Sequence, residues 1–312
     1  MRRLVALLAL ASTCAAAQTG VTRIIVPFAA GGVQDILARA ISSELGTAIG
    51  QTVIVENRTG AGGTIGTAYV AKAPADGHTL VLAAASHTIN GSLYARLPYD
   101  PIRDFIGVAH IGTVEYVLMI NPRIPAKTVK EFVDYAKANP GKLNYSTAGV
   151  GTATHLSMAY FASLAGLDMV HVPFKGTNEA VNEVVAARAD AVIAANIGAL
   201  PFAKDPRIRM LGVTSAKRSK FLPDLPPIAE GLPGYEFDSW LGLLGPAGIP
   251  RSTVDHLNLA VASLLRDPVI LERLAKQGIE PQALSPEAFD ALLRADFDKM
   301  ARVVRASGAQ VE

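Results

Sequence analysis

Short runs of β-branched and apolar residues alternate with segments of helical periodicity along most of the chain. This alternation restricts the possible folds more than any other feature, because strands separated by helices pair in parallel within one sheet. The predicted strands span residues 23–28, 52–56, 79–84, 107–112, 116–120, 143–146, 169–172, 191–195 and 210–214. The sequence therefore predicts an α/β protein with parallel sheets.

Apolar spacing and capping signals predict the helices. The 3.6-residue period between the first two strands is carried by Ile36, Ala40, Ile41, Leu45 and Ile49. Residues 128–131 form a capping box that starts a helix ending at residues 139–141. Two amphipathic helices close the chain, one with Val254, Leu257, Val261 and Leu265 on its apolar face and the other with Phe289, Leu293, Phe297, Met300 and Val304.

The chain has 312 residues, more than a usual single domain, yet no flexible linker or repeat follows residue 18. This combination predicts two α/β lobes joined by strands that cross between them, with the C-terminal helices returning to the first lobe. The predicted division gives residues 18–120 plus 237–312 to the first lobe and residues 121–236 to the second. Ligands of such folds bind where the carboxyl ends of the strands meet, in a cleft between the lobes.

The N-terminus has the order of a secretory signal peptide. Arg2 and Arg3 precede an apolar run at residues 4–11, and small residues follow up to Ala17. The run is too short to span a bilayer. The sequence therefore predicts a signal peptide over residues 1–17, cut after Ala17, and an exported, periplasmic mature protein. Lipidation at Cys14 is the alternative, although Thr13 stands where a small Ala or Gly is expected.

Removal of that segment leaves a neutral chain, since Arg2 and Arg3 account for the whole difference between 29 basic and 27 acidic residues. A neutral chain has no electrostatic footprint for nucleic acid or an anionic membrane surface. Cys14 is the only cysteine, so the mature protein has no disulfide, thiolate nucleophile or thiolate metal site.

Two segments that join a strand to a helix combine small residues with backbone donors. Residues 27–32 end in Gly31 and Gly32, where N–H groups can approach an anion closely at a helix start. An ordinary tight turn is the alternative. Residues 146–152 place three hydroxyls, those of Ser146, Thr147 and Thr152, beside two glycines. Two donor segments, one per lobe, predict a clamp for a carboxylate or dicarboxylate.

Other features favour binding over catalysis. The glycine-rich residues 57–66 match neither a dinucleotide fingerprint nor a P-loop and are interpreted as a structural loop. No HExxH or Gly-x-Ser-x-Gly motif is present, so no catalytic residue, metal ligand or cofactor is predicted. His155 is either a pocket residue or structural, Asp35 either a cap or a pocket wall, and Lys175 either a charge at the cleft mouth or a solvated side chain.

A series of short motifs occurs in a specific order: residues 26–32 (VPFAAGG) with Asp35, 55–58 (VENR) with 60–63 (GAGG), 75–77 (ADG), 97–101 (LPYDP), 140–143 (PGKL), 171–176 (HVPFKG) and 240–248. In these motifs the chain resembles, over essentially its whole mature length, the Bug-type substrate-binding proteins of tripartite tricarboxylate transporters. The resemblance implies a two-lobed periplasmic binding protein of the type 2, Venus-flytrap fold.

The resemblance also implies a function and a site. The protein would capture a small carboxylate, partly through ordered water, and deliver it to a permease made of a large and a small membrane subunit; we expect it to act as a monomer. The expected ligand-binding residues are Phe28, Ala29, Ala30, Gly31, Gly32, Asp35, Ser86, Ser146, Thr147, Gly149, Gly151, Thr152, His155 and Asn196. This chain departs from the family pattern at Val33 and Gln34, where a hydroxyl is usual, and at Thr59, where proline is usual.

Two other functions stay open from the sequence. A sensor that presents its closed form to a signalling partner uses the same binding physics. An exported hydrolase or isomerase on the same scaffold is the rival from another class, against which the absence of a nucleophile elbow counts.

Overall fold

The computed structural model describes residues 20–307 and residue 309. The predicted signal peptide, with its cleavage after Ala17 and with Cys14, lies outside the described residues. The strands are β1 (Val21–Val26), β2 (Thr52–Asn57), β3 (Thr79–Ala84), β4 (Phe105–Val114), β5 (Tyr116–Ile120), β6 (Asn144–Thr147), β7 (Val170–Pro173), β8 (Ala191–Ala195), β9 (Arg209–Val213), β10 (Ser239–Pro246) and β11 (Ile279–Pro281).

The helices lie between and after these strands. They are α1 (Val33–Ile49), α2 (Thr64–Ala71), α3 (Ser86–Leu93), α4 (Val129–Lys137), α5 (Ala153–Ala165), α6 (Thr177–Val185), α7 (Asn196–Ala199), α8 (Arg251–Leu264), α9 (Pro268–Lys276) and α10 (Pro286–Ser307). In the part of the chain that the structure describes, none of them has both the length and the hydropathy needed to cross a membrane.

The strands form two separate sheets, as expected for two lobes. The first lobe is built on a six-stranded sheet of order β11-β4-β10-β3-β1-β2, and the second on a five-stranded sheet of order β7-β6-β8-β5-β9. Both sheets are mixed, because β10 and β11 run antiparallel to their neighbours in the first and β5 does so in the second. The prediction of parallel sheets is confirmed for β1 with β2 and β3 and for β6 with β7 and β8, and is wrong for β5, β10 and β11. The α/β class is confirmed.

The chain crosses between the sheets at Glu115, the single residue between β4 and β5. The predicted division at residue 120 placed β5 in the first lobe, whereas β5 pairs with β8 and β9 of the second sheet. Every residue of β5 is buried, so its apolar pattern fits either sheet and cannot reveal the partner strands. The chain crosses back between β9 and β10, and α10 then packs against both α3 and α5.

The predicted helices are present, with corrections at their faces and ends. The core side of α1 consists of Leu37, Ala38, Ile41, Leu45 and Ile49, whereas Ile36 and Ala40 are only half-buried. At α4, the Thr128 side chain accepts the Glu131 N–H, as a capping box requires. The Glu131 carboxylate accepts the N–H of Lys127 instead of that of Thr128, one residue farther out.

Candidate functional site

A cavity of about 320 Å³ lies between the two sheets. Its volume is at the small end of the roughly 300–1,000 Å³ that is typical of small-molecule sites. The lining residues come from both lobes: Phe28, Ala29, Ala30, Gly31, Gly32, Val33, Gln34, Ala84, Ser86, Val114, Tyr116, Ala148, Thr152, Ala153, Thr154, Lys175, Gly176, Thr177, Asn178, Glu179, Ala195, Ser239 and Leu241.

Within the described part of the chain, the first residues of four helices longer than one turn line or directly adjoin this cavity. The starts of α1 and α3 line it from the first lobe, and those of α5 and α6 line it from the second. The residues before α1, α3 and α6, which are Gly32, Ala85 and Gly176, provide no side-chain cap. The first N–H groups of a helix have no partner within the helix. An anion in the cavity would therefore meet backbone donors and favourable helix dipoles from both lobes.

Asp35 holds the first-lobe loop from behind rather than lining the cavity. Its carboxylate accepts the N–H of Gly31 at 2.9 Å and the side chains of Arg39 and Asn57 at 3.0 Å each. Asn57 also donates to the carbonyl of Phe28, at 3.0 Å. Burial acts to raise the pKa of Asp35, but the hydrogen bonds from these donors outweigh it and lower that pKa. Asp35 and Asn57 together fix both ends of the loop that faces the ligand.

Asp35→Asn is expected to weaken ligand binding by about tenfold or more, because an amide cannot accept three donors as a carboxylate does. Calorimetric titration with the acid that binds the parent protein measures the change. Asp255→Asn is the matched control, since Asp255 pairs with Arg251 at the same i, i+4 spacing on the exposed side of α8. Equal affinities for the two variants would contradict the positioning role of Asp35.

In the second lobe, Ala148 and Thr152 line the cavity. The Thr152 hydroxyl is committed within its own loop, because it donates to the carbonyl of Gly149 at 2.6 Å and accepts the His155 N–H at 3.3 Å. It also lies 2.8 Å from the Thr154 hydroxyl. This segment is therefore a helix start that caps itself. A ligand would meet its backbone groups and Thr154 there, because the Thr152 hydroxyl is already bonded.

The structure does not bring Ser146 or Thr147 to the cavity. Both are fully buried, and their hydroxyls bond to the Ala180 carbonyl and the His171 ring, each at 2.7 Å. The sequence led us to expect that three hydroxyls of this segment face the ligand. In the structure all three are bonded to protein groups, and the segment offers mainly backbone donors. The reason is that the last residues of β6 lie inside the lobe, where a hydroxyl must find a protein partner.

His155 is buried behind the same loop and stacks on His171, with ring centroids 4.3 Å apart. Burial, together with the neighbouring imidazole, lowers the pKa of His155 to about 4. The ring is then neutral, and its Nδ1 accepts the N–H of Gly151 at 3.4 Å. His155 does not line the cavity, so its position favours the structural alternative.

Three further predicted site residues lie away from the cavity. Asn196 is fully buried and donates to the Gly278 carbonyl at 2.8 Å, across the junction between the second lobe and the C-terminal segment. Gly149 accepts the Thr152 hydroxyl, and Gly151 faces Leu93 and Asn90 of the first lobe. The structure does bring together Phe28, Ala29, Ala30, Gly31, Gly32, Ser86 and Thr152.

The predicted set of ligand-binding residues omits two groups of lining residues, although Lys175, next to the second group, was predicted as a candidate charge at the cleft mouth. One group, Val114, Tyr116, Ser239 and Leu241, flanks the crossing between the sheets and belongs to β4, β5 and β10. The other is the start of α6, where Thr177 and Asn178 follow Gly176. A glycine before a Thr-Asn pair at the end of a strand is a helix-start signal that could have identified the second group.

Charges at the cavity are few and lie at one side. Lys175 and Glu179 are the charged lining residues among those described; both are exposed, and the Lys175 N–H donates to the Glu179 carboxylate at 3.1 Å. Within residues 20–307 and 309, no group of three or more His, Asp or Glu side chains is placed to hold a metal ion. The electrostatic preference of the cavity therefore comes mainly from the backbone.

Comparison with known proteins identifies the family. The model of the tripartite tricarboxylate transporter family receptor matches residues 37–309. The chain belongs to this family. A Pseudomonas species protein encoded between tcbD and tcbE is 37% identical over 282 residues, covering 90% of this chain and 84% of that protein. Protein BugT of Bordetella pertussis is 31% identical over 297 residues, covering 93% and 90%.

Solved structures of receptors in this family share the fold. The R. palustris protein Rpa4515, solved with adipate, superposes with a TM-score of 0.87 at 34% identity and covers 94% of this chain and 99% of its own. MatC from Rhodopseudomonas palustris, solved with malate, gives 0.83 at 31% identity over 92% and 99%. These matches confirm the resemblance stated from the motifs and the two-lobed periplasmic-binding-protein fold; proteins of this family are substrate-binding proteins rather than enzymes.

Proposed function

We propose that this receptor binds a small carboxylate in the interlobe cavity and delivers it to a two-subunit membrane permease of the tripartite type. The observation that carries the proposal is the convergence of four helix starts on the cavity, three of them without a side-chain cap. Backbone N–H groups and helix dipoles hold an anion without a fixed counter-charge. Such a site suits a carboxylate that must be released again to another protein, because no ion pair has to be broken.

The ligand-facing residues that we propose are the cavity-lining members of the predicted set, with Phe28 to Gly32 and Ser86 on one side and Thr152 on the other. The start of α6, at Gly176 and Thr177, is added to them. Asp35 acts behind the first loop. Ordered water satisfies carboxylate lone pairs nearly as well as direct bonds, and water bridges are part of the proposed binding mode.

Apolar side chains form much of the remaining wall, including Phe28, Val33, Tyr116 and Leu241. Such a wall suits the hydrocarbon part of a carboxylic acid. Adipate and malate, present in the two R. palustris structures, carry two carboxylates each. Because donors face the cavity from both lobes, we include dicarboxylates as the first class to test, before aromatic and amino acids.

Calorimetric titration of the chain from Gln18 onward tests the proposal, after unfolding and refolding to remove any carried-over ligand. The panel comprises C4–C6 dicarboxylates, citrate, acidic amino acids and aromatic acids. One-to-one binding of one class without turnover is the expected result. Absence of binding to every acid of the panel in a folded sample would contradict carboxylate binding. Release of a product would support the hydrolase hypothesis instead.

Delivery to a permease and export to the periplasm are tested in cells. Uptake of the radiolabelled acid is expected to be lost when the gene is removed and to be restored by the full chain, with the mature protein starting at Gln18 in the periplasmic fraction as a monomer. Unchanged uptake alongside tight binding in vitro would contradict the transport role and favour the sensor.

A further inference from the structure

None of the glycine-rich residues 57–66 lines the cavity, but the segment touches the second lobe. Gly62 has a φ of +62°, and a Cβ there would lie 3.2 Å from the carbonyl oxygen of Val150 and 3.0 Å from the Tyr94 hydroxyl. The first distance joins the two lobes. A Cβ at this position would be strained by the positive φ and could be accepted only if the Val150 carbonyl moved away by a few tenths of an ångström.

A second glycine faces this contact from the other lobe. Gly151 has a φ of +80°, and a Cβ there would lie 2.9 Å from a methyl carbon of Leu93 and 3.2 Å from the side-chain oxygen of Asn90. Asn90 is buried, and its amide donates to the Gly62 carbonyl at 3.0 Å. The same side chain therefore ties the glycine-rich segment to the surface that receives Gly151.

The contact and the cavity share their chain segments. On α3, Ser86 lines the cavity while Asn90, one turn later, faces Gly151. In the second lobe, Ala148 and Thr152 line the cavity while Gly151 between them faces the first lobe. Movement of either segment toward a ligand is thus also movement toward the other lobe.

We propose that Gly62 and Asn90 of the first lobe, with Val150 and Gly151 of the second, form a closure contact that sets ligand affinity without touching the ligand. The proposal rests on the proposed function only for the link to affinity. The bound form requires the lobes to meet here, and apparent affinity falls in proportion to the fraction of molecules that can close. Glycines at positions 62 and 151 keep that fraction high because they present no side chain to the opposite lobe.

The first test needs no ligand. The chain from Gln18 onward has no cysteine, so Leu93→Cys with Gly151→Cys introduces a pair across the contact. Mild oxidation is expected to join the pair. Leu93→Cys with Gly166→Cys is the control, because Gly166 has a similar positive φ of +64° at the far end of α5 and no atom within 4 Å. No more cross-linking than in the control pair would overturn the closure contact, whatever the protein binds.

The second test measures affinity, with adipate as the first probe and the best binder of the carboxylate panel where that differs. Gly62→Ala and Gly151→Ala are each expected to lower the affinity about tenfold and to reduce the compaction seen by small-angle X-ray scattering on adding the acid. Gly50→Ala and Gly166→Ala carry the same backbone strain, with φ of +66° and +64°, but meet no atom within 4 Å.

The two tests separate the possible failures. Cross-linking without binding of any acid would leave the closure contact standing and contradict the proposed function. Affinity losses in Gly62→Ala and Gly151→Ala that only match those of Gly50→Ala and Gly166→Ala would overturn the link between the contact and affinity. Thermal unfolding of all four variants checks that each is folded.

Discussion

Thr177→Asp is expected to lower the affinity for carboxylates about a hundredfold while the protein stays folded. Thr177 is the first residue of α6 and lines the cavity, where its half-buried side chain faces the proposed anion site. Two unit charges about 5 Å apart repel by about 3 kcal/mol at an effective dielectric constant of about 20, which is roughly a hundredfold in affinity. An acidic residue in the first helical turn is favourable for the helix itself.

Thr177→Asn is the matched control, because asparagine has the shape of aspartate without the charge. We expect calorimetry to give the Asn variant an affinity within a few-fold of the parent protein. The difference between the two variants should shrink as salt is added, since screening weakens the repulsion. Equal affinities of the Asp and Asn variants would contradict an anion at the start of α6.

The second large effect concerns stability in acid. His87 is buried among Tyr99, Phe105 and Trp240, and burial lowers its pKa to about 4 despite a hydrogen bond to the Pro101 carbonyl. A neutral buried histidine must be charged as the pH falls, and the unfolded chain takes up that proton more readily. The contribution of the neutral His87 ring to the free energy of unfolding is therefore complete above pH 6.5. As the pH falls to 4, the free energy of unfolding decreases by about 3 kcal/mol because of this group.

His87→Gln keeps a donor for the Pro101 carbonyl and removes the titration. Its free energy of unfolding is expected to lie below that of the parent protein at pH 7, and the gap should close by about 3 kcal/mol at pH 4. Urea unfolding at pH 7, 5.5 and 4 measures the gap. His256→Gln, on the exposed side of α8, is the control. A pH-independent gap for His87→Gln would contradict a neutral buried imidazole.

Two buried carboxyl groups change the free energy of unfolding with pH in the direction opposite to that of His87. Burial raises the pKa of Asp238 to about 6, so its contribution is present in acid and is lost as the pH rises through 6. Burial likewise raises the pKa of Asp296, which accepts hydrogen bonds from Thr88 and Trp240. His155 and Asp35, whose pKa values are lowered, add to the loss in acid instead. The total stability therefore combines opposing contributions, and only the difference between the two proteins isolates that of His87.

All nine strands predicted from local patterns are present, but β10 and the short β11 were missed. The reason is clear for β10. That strand carries Gly242 and Gly245, residues that weaken a strand pattern. The structure explains Gly242, because a Cβ there would clash with the Phe289 ring and lie 2.8 Å from the Ala109 carbonyl oxygen. This strand forms because it packs against α10 and β4, which are distant in the sequence, and a short stretch of sequence does not contain that information.

The residues of the candidate site also divide into those that local sequence predicts and those that are decided by partners distant in the chain. Phe28 to Gly32 could be predicted because a glycine pair between a strand and a helix permits either an anion site or a tight turn, and the family resemblance favoured the site. The hydroxyls of Ser146 and Thr147 could not be assigned, because their partners Ala180 and His171 are 24 to 34 residues away. Gly151 was expected to bind the ligand, but the atoms nearest to a Cβ placed there belong to Leu93 and Asn90 of the other lobe.

A crystal structure of the chain with the tightest-binding acid of the panel tests the central claim most directly. The account predicts carboxylate oxygens in the interlobe cavity, within hydrogen-bond reach of backbone N–H groups or bridging waters at the starts of α1 and α6. An acid bound outside this cavity, or held there by the side chains of Lys175 or Arg39 with the helix starts unoccupied, would contradict it.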